Sequence, residues 1–148
     1  MALQTKINNK GWQTVSAGSP AAVADNAMSA ESDAVDYDNS TEGYPQARVR
    51  LDTTYAVAPL SDAVIVVYMQ VRDIDGTTGH HTPQPDATYK PKPVGYIYPD
   101  AVTVAQYPAT PAPIMIPKAK VRFYLENLSG QSLPAGWLLA IDPMGHGS

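Results

Sequence analysis

Residues 47–59, ARVRLDTTYAVAP, alternate along their length, with Ala47, Val49, Leu51, Thr53, Tyr55 and Val57 on one face and Arg48, Arg50, Asp52 and Thr54 on the other. Period two with β-branched residues predicts a half-buried strand. After the turn signal Pro59-Leu60-Ser61-Asp62, residues 63–71 place Ala63, Ile65, Val67, Met69 and Val71 on an apolar face and Val64, Val66 and Tyr68 on the other. A strand apolar on both faces is a central one, and Asp75-Gly76 ends it. Residues 118–127 alternate again, with Ala119, Val121, Phe123 and Leu125 inward and Lys118, Lys120, Arg122 and Tyr124 outward. In residues 136–142, Trp137, Leu139 and Ile141 share one side. The intervening NLSGQSLPAG carries Asn127 and Gly130, which tolerate left-handed backbone, and Pro134, which stops a helix. A hairpin with a long connection is the expectation there.

Weaker strands are expected at residues 12–17, at 101–107 and in the PIMI run at 113–116, at edges where proline is tolerated. The one helix candidate, residues 19–32, offers Ser19 as a cap before Pro20, but its apolar content is mostly alanine. It predicts one short helix or an irregular loop. Six or more short strands between Pro, Gly and Asn turns place the chain in the all-β class, as a β-sandwich or jelly-roll-like barrel. At 148 residues it is expected to form a single β domain over 1–148.

Charge and composition narrow the picture further. A net charge of -4 lacks the basic footprint of a nucleic-acid binder, so no nucleic-acid partner is expected. No apolar run approaches the ~20 residues that span a bilayer, and the first residues lack the form of a signal peptide. A protein made and kept in a cytoplasm, without a membrane partner, is the expectation. With no cysteine, disulfides, thiol catalysis and cysteine-bound zinc are excluded.

Two of the three histidines, His80 and His81, are adjacent. Neighbouring side chains on extended backbone point to opposite faces, so the pair reads as a polar turn rather than a metal site. Asp25, Glu31, Asp33, Asp36, Asp38 and Glu42 make an acidic loop at about 25–45 without Lys or Arg before Arg48. Its DYDNSTEG run fails the EF-hand pattern, because Ser or Thr stands where glycine is required and no correctly spaced glutamate follows. The loop is either solvated or meets basic rows such as Arg48, Arg50, Lys118, Lys120 and Arg122, on a neighbouring subunit; those rows also serve as edge-strand protection. The sequons Asn39-Ser40-Thr41 and Asn127-Leu128-Ser129 read as turn chemistry. There is no Gly-x-Ser-x-Gly elbow, no phosphate-cradling loop and no pair of carboxylates that stands out. The expectation is a non-enzymatic protein with no catalytic residues, no cofactor and no metal.

Tyrosine and proline carry the stronger signal. There are nine Tyr against one Phe, and nine of the fourteen prolines fall in residues 83–117. A Pro-rich extended loop or arm over about 79–117 is predicted, because such a segment costs less entropy to hold extended. Tyr89, Tyr96, Tyr98 and Tyr107, with Pro91 and Pro93, are the candidate interface residues, since tyrosine suits a surface apolar on one side and wet on the other. Stacking on sugars is the competing use of exposed rings, with Trp12 or Trp137 as further platforms.

Residues 47–79, with two long strands meeting at Ser61-Asp62-Ala63 and the second ending at Asp75-Gly76, together with a late hairpin over 121–141, resemble capsid cement or decoration proteins of tailed bacteriophages. The resemblance is one of pattern and covers about half the chain. It implies a β-sandwich on the outer capsid of the virion, bridging major capsid proteins to stabilise the head, as a homo-oligomer such as a dimer or trimer. A carbohydrate-binding β-sandwich module and a tail or baseplate adaptor are the alternatives.

Overall fold

The computed structural model describes residues 6–73 and 82–147. The turn at Asp75-Gly76 and the pair His80-His81 lie outside the described residues. The chain is all-β, with two antiparallel sheets packed as a sandwich, one of them curled into a half-barrel. In chain order the strands are β1 (Lys6–Asn9), β2 (Gln13–Thr14), β3 (Tyr37–Asp38), β4 (Gln46–Asp52), β5 (Val64–Asp73), β6 (Gly95–Ile97), β7 (Ile114–Met115), β8 (Lys120–Leu128) and β9 (Leu138–Gly147). Sheet one runs β1-β9-β4-β7, with β2 also paired to β9; sheet two runs β3-β8-β5-β6.

The inward faces read from the alternation meet in one core. Val49, Leu51, Leu139 and Ile141 of sheet one pack against Ile65, Val67, Val121, Phe123 and Leu125 of sheet two, and Tyr37, Tyr55, Leu133 and Trp137 join the same cluster. Each fully buried large side chain contributes about 1.5–3 kcal/mol. Val57, placed on the same face by period two, is exposed because β4 ends at Asp52.

Two connections differ from their local appearance. β4 and β8 each look like the first arm of a hairpin, yet β5 lies in the sheet opposite β4, and β9 in the sheet opposite β8. The real partners are β4 with β9, from Gln46↔Met144 to Asp52↔Leu138, and β5 with β8, from Val64↔Leu128 to Asp73↔Lys120. The expected hairpin over 121–141 is therefore a crossing between sheets. Asn127 holds it: its Nδ2 donates to the carbonyls of Val23 at 2.9 Å and Gln131 at 2.8 Å, and its Oδ1 accepts from the Ser129 backbone at 3.1 Å.

The helix candidate forms no α-helix; its residues hold only a 3-10 turn at Glu31–Asp33. Residues 26–29 instead extend sheet two along β8, through Ser29 N to Leu125 O and Asn127 N to Ala27 O, each at 2.8 Å. The expected acidic loop thus contributes edge backbone to a sheet. Sheet two is covered on its outer face as well. Val66, Tyr68, Tyr124 and Ala34 form a second, smaller cluster, flanked by Met28, Val64 and Leu128. Tyr124 does point outward as period two requires, but it is fully buried. Its hydroxyl donates to Gln70 Oε1 at 3.0 Å, and that of Tyr68 to Glu126 Oε1 at 2.9 Å.

Candidate functional site

The Pro-rich arm returns to its own sheet. Thr82 N donates to the Val71 carbonyl at 3.2 Å, Val71 N donates to Thr82 Oγ1 at 3.1 Å, and Gln70 Nε2 donates to the Thr82 carbonyl at 3.1 Å. The chain then leaves the β5 edge, turns at Asp86, and sends Lys90 to an ion pair with Glu126 on the outer face of sheet two. It rejoins β5 where Val94 N donates to the Val67 carbonyl at 2.9 Å. Pro85 is buried and Pro91 and Pro93 are half-buried along this path, while Tyr89 is exposed. The Asp86 carboxylate accepts from Thr88 Oγ1 and from the backbone N–H groups of Thr88 and Tyr89, all at 2.8 Å. Those bonds, the Thr88 hydroxyl first, hold its carboxyl below the ordinary range.

Beyond the arm, β6 forms an edge of sheet two and residues 106–115 form the facing edge of sheet one. Proline suits such an edge, because the missing N–H is not needed for a further partner. Gln106 and Thr53 exchange backbone hydrogen bonds at 2.9 and 3.1 Å, Leu51 N donates to Pro108 O at 2.8 Å, and Thr110 N donates to Val49 O at 2.8 Å. The Gln106 side chain also closes the preceding loop, accepting from Asp100 N at 2.8 Å and donating to Asp100 O at 3.0 Å. The 101–107 stretch thus contributes only an isolated bridge, Thr53↔Gln106, whereas the PIMI run does supply β7.

The two edges leave a groove of about 270 Å³ between them, lined by Tyr96 and Tyr98 on one side and by Thr110, Pro111, Pro113 and Ile114 on the other. Gly95 sets its width: a Cβ there would lie 3.0 Å from Thr110 Cγ2 and 3.1 Å from Ile114 Cγ2. From Ala101 to Pro117 the chain carries no Asp, Glu, Lys, Arg or His. Much of that ribbon faces solvent, with Val104 65%, Tyr107 64% and Met115 81% exposed.

The candidate interface residues therefore fall into three places. Tyr96 and Tyr98 share the groove; Tyr89, Pro91 and Pro93 lie in the arm; Tyr107 stands apart, in a second cleft beside Asp52 and Thr54 on sheet one. Trp137 provides no exposed platform: it is buried and its indole N–H donates to Ala21 O at 2.9 Å. Trp12 is partly exposed, with the Arg50 guanidinium 4.3 Å from its ring centre. Outward charges on a strand gave no hint that Arg50 chelates Asp52, through Nε at 2.6 Å and Nη2 at 3.0 Å.

The carboxylates of the acidic stretch find partners within their own chain, and all of them but Asp33 stay exposed to solvent. Asp36 pairs with Arg122, Glu31 approaches Arg122 at 3.6 Å, and Glu42 pairs with Lys10. Asp25, Asp33 and Asp38 accept from the backbones of Gly130 at 2.9 Å, Ala21 at 3.2 Å and Ser40 at 2.9 Å. Among the described residues no three His, Asp or Glu side chains gather as a metal would require. Both sequon asparagines are fully buried; Asn39 Nδ2 donates to the carbonyls of Tyr44 and Pro117, both at 2.8 Å, as turn chemistry demands. No protein-family model matches the sequence, and neither a curated protein nor a solved structure matches the chain.

Proposed function

We propose that the chain is a non-enzymatic structural protein of a virion, a capsid cement or decoration subunit of a tailed phage that bridges major capsid proteins as a homo-oligomer. One observation carries this reading: the exposed, charge-free ribbon 101–117, which runs beside the Tyr96–Tyr98 groove where the open edges of both sheets meet. Proteins that stay alone protect such edges with charge, and an uncharged apolar strip invites a partner. Binding through it needs no catalytic group, and a stable contact needs about 1,200–2,000 Å² in total. The sandwich contributes rigidity, and a symmetric shell multiplies modest contacts. A tail or baseplate adaptor would use the same surface in another part of the particle.

The test uses heads of a particle carrying this chain, stripped of it and incubated with fresh protein. Wild-type protein should rebind and restore resistance to heat, while a Tyr98→Lys, Met115→Lys variant should stay folded and fail to rebind, since both side chains are exposed. Equal rebinding by the variant, or none by the wild type, overturns the reading.

A further inference from the structure

The cleft beside Tyr107 is distinct from the groove and has a different chemistry. It measures about 270 Å³ and is lined by Asp52, Thr53, Thr54, Tyr107, Gly136 and Leu138, among others. That is just below the usual range of small-ligand pockets, ~300–1,000 Å³, and room for about one sugar ring.

The geometry points to this cleft as a binding site for a neutral saccharide. Arg50 and Asp52 lie two residues apart on β4 and therefore share the outer face of sheet one. Their bidentate pairing cancels the charge on both, so an ionic ligand gains no net attraction. Each Asp52 oxygen still has acceptor capacity for a hydroxyl donor. Arg50 is held in turn by Trp12, whose ring lies beneath its guanidinium. Ala140 is paired with Thr14 on one side and with Arg50 on the other.

Tyr107 contributes the apolar surface that the C–H face of a sugar requires. Its neighbours Gln106 and Pro108 are hydrogen-bonded to Thr53 and Leu51, so the exposed ring stands on a fixed strap and little freedom remains to be lost on binding. Thr54, exposed at the rim, adds a hydroxyl that both donates and accepts. Gly136, with φ +84, has no atom within 4 Å of where a Cβ would stand, which leaves that wall of the cleft open. The Tyr96–Tyr98 groove lacks this combination, because no carboxylate lines it. The inference does not rest on shell attachment.

The experiment is a two-dimensional amide NMR titration of the full chain with glucose, galactose, N-acetylglucosamine and maltose, and with glucuronic acid as the charged counterpart. At least one neutral sugar should give saturable shifts in the millimolar range, centred on Thr54, Tyr107, Gly136 and Leu138. Tyr107→Ala should weaken binding about tenfold or more, Asp52→Asn should weaken it too, and Tyr98→Ala should leave it unchanged. The proposal fails if no neutral sugar in the panel gives saturable shifts, if glucuronic acid binds more tightly than glucose, or if Tyr98→Ala weakens binding as much as Tyr107→Ala.

Discussion

Replacing residues 83–93 with a four-residue Gly/Ser linker asks whether the arm covers sheet two or merely hangs beside it. The anchors Thr82 and Val94 bond to Val71 and Val67 on β5, about 13 Å apart at ~3.3 Å per residue, so four linker residues reach across without strain. The replacement removes the Lys90–Glu126 pair, half-exposed at Lys90 and buried at Glu126, and because the carboxylate returns to water when the arm is gone the loss is less than about 1 kcal/mol. It also removes the buried Pro85 and opens the outer face of sheet two beside Glu126 and Tyr68, where Lys90 reaches. Losing the burial of Pro85 and returning about half of the Tyr68 ring to water costs ~1 kcal/mol apiece, given about 1.5–3 kcal/mol for full burial of a large side chain. The shorter loop recovers ~0.9 kcal/mol of closure entropy. The net loss is about 1.5–2 kcal/mol, seen as a urea midpoint lowered by ~1 M with the native Trp137 fluorescence otherwise retained. A change below ~0.5 kcal/mol would refute the idea that the arm is a lid on its own sheet.

Asn127→Ala should cost about 2–4 kcal/mol in urea unfolding, because it strips four hydrogen bonds from a buried crossing; a loss under ~1 kcal/mol would mean the loop holds itself. Gly95→Ala should destabilise by about 1–3 kcal/mol through contact with Thr110 Cγ2. Thr110→Ser, which deletes that methyl but keeps the hydroxyl bonded to Val49, should recover part of the loss in the double variant. Burial first, and then the bond to Glu126, push the Tyr68 hydroxyl up to about 12. Its neutral form is thus favoured by folding: that stability is full below pH ~10 and disappears as pH rises through about 12, ~2–3 kcal/mol in all. Tyr68→Phe should flatten this part of the stability profile, read by chemical denaturation at a series of pH values.

The long strands and their inward faces were legible because period two survives in ARVRL, VIVVYM, VRFYL and WLLAI. Partner choice was not. Turn chemistry after β4 and β8 is local and marks a reversal, but it does not say whether the next strand lies beside the last or across the core. β6 went unseen because a strand of three residues, in the five between Pro93 and Pro99, offers too little alternation. The tyrosines identified exposed rings correctly, yet their grouping depended on the loop closed by Gln106, which carries the chain from the edge of sheet two to the edge of sheet one. Asp52 and Arg50 looked like ordinary outward charges, because only side-chain geometry reveals a chelated pair.

β9 sits in the middle of sheet one, with β1 and β2 on one flank and β4 on the other. Sheet one therefore cannot assemble while the ribosome is still making residues 138–147. Until then the inner faces of β4, β5 and β8 have no complete partner layer, and closure joins residues more than a hundred positions apart, as in Lys6↔Gly147. Such pairing is slow, on the order of milliseconds to seconds once the chain is free. During synthesis the exposed β5–β8 pair is the segment that most needs shielding from other nascent chains.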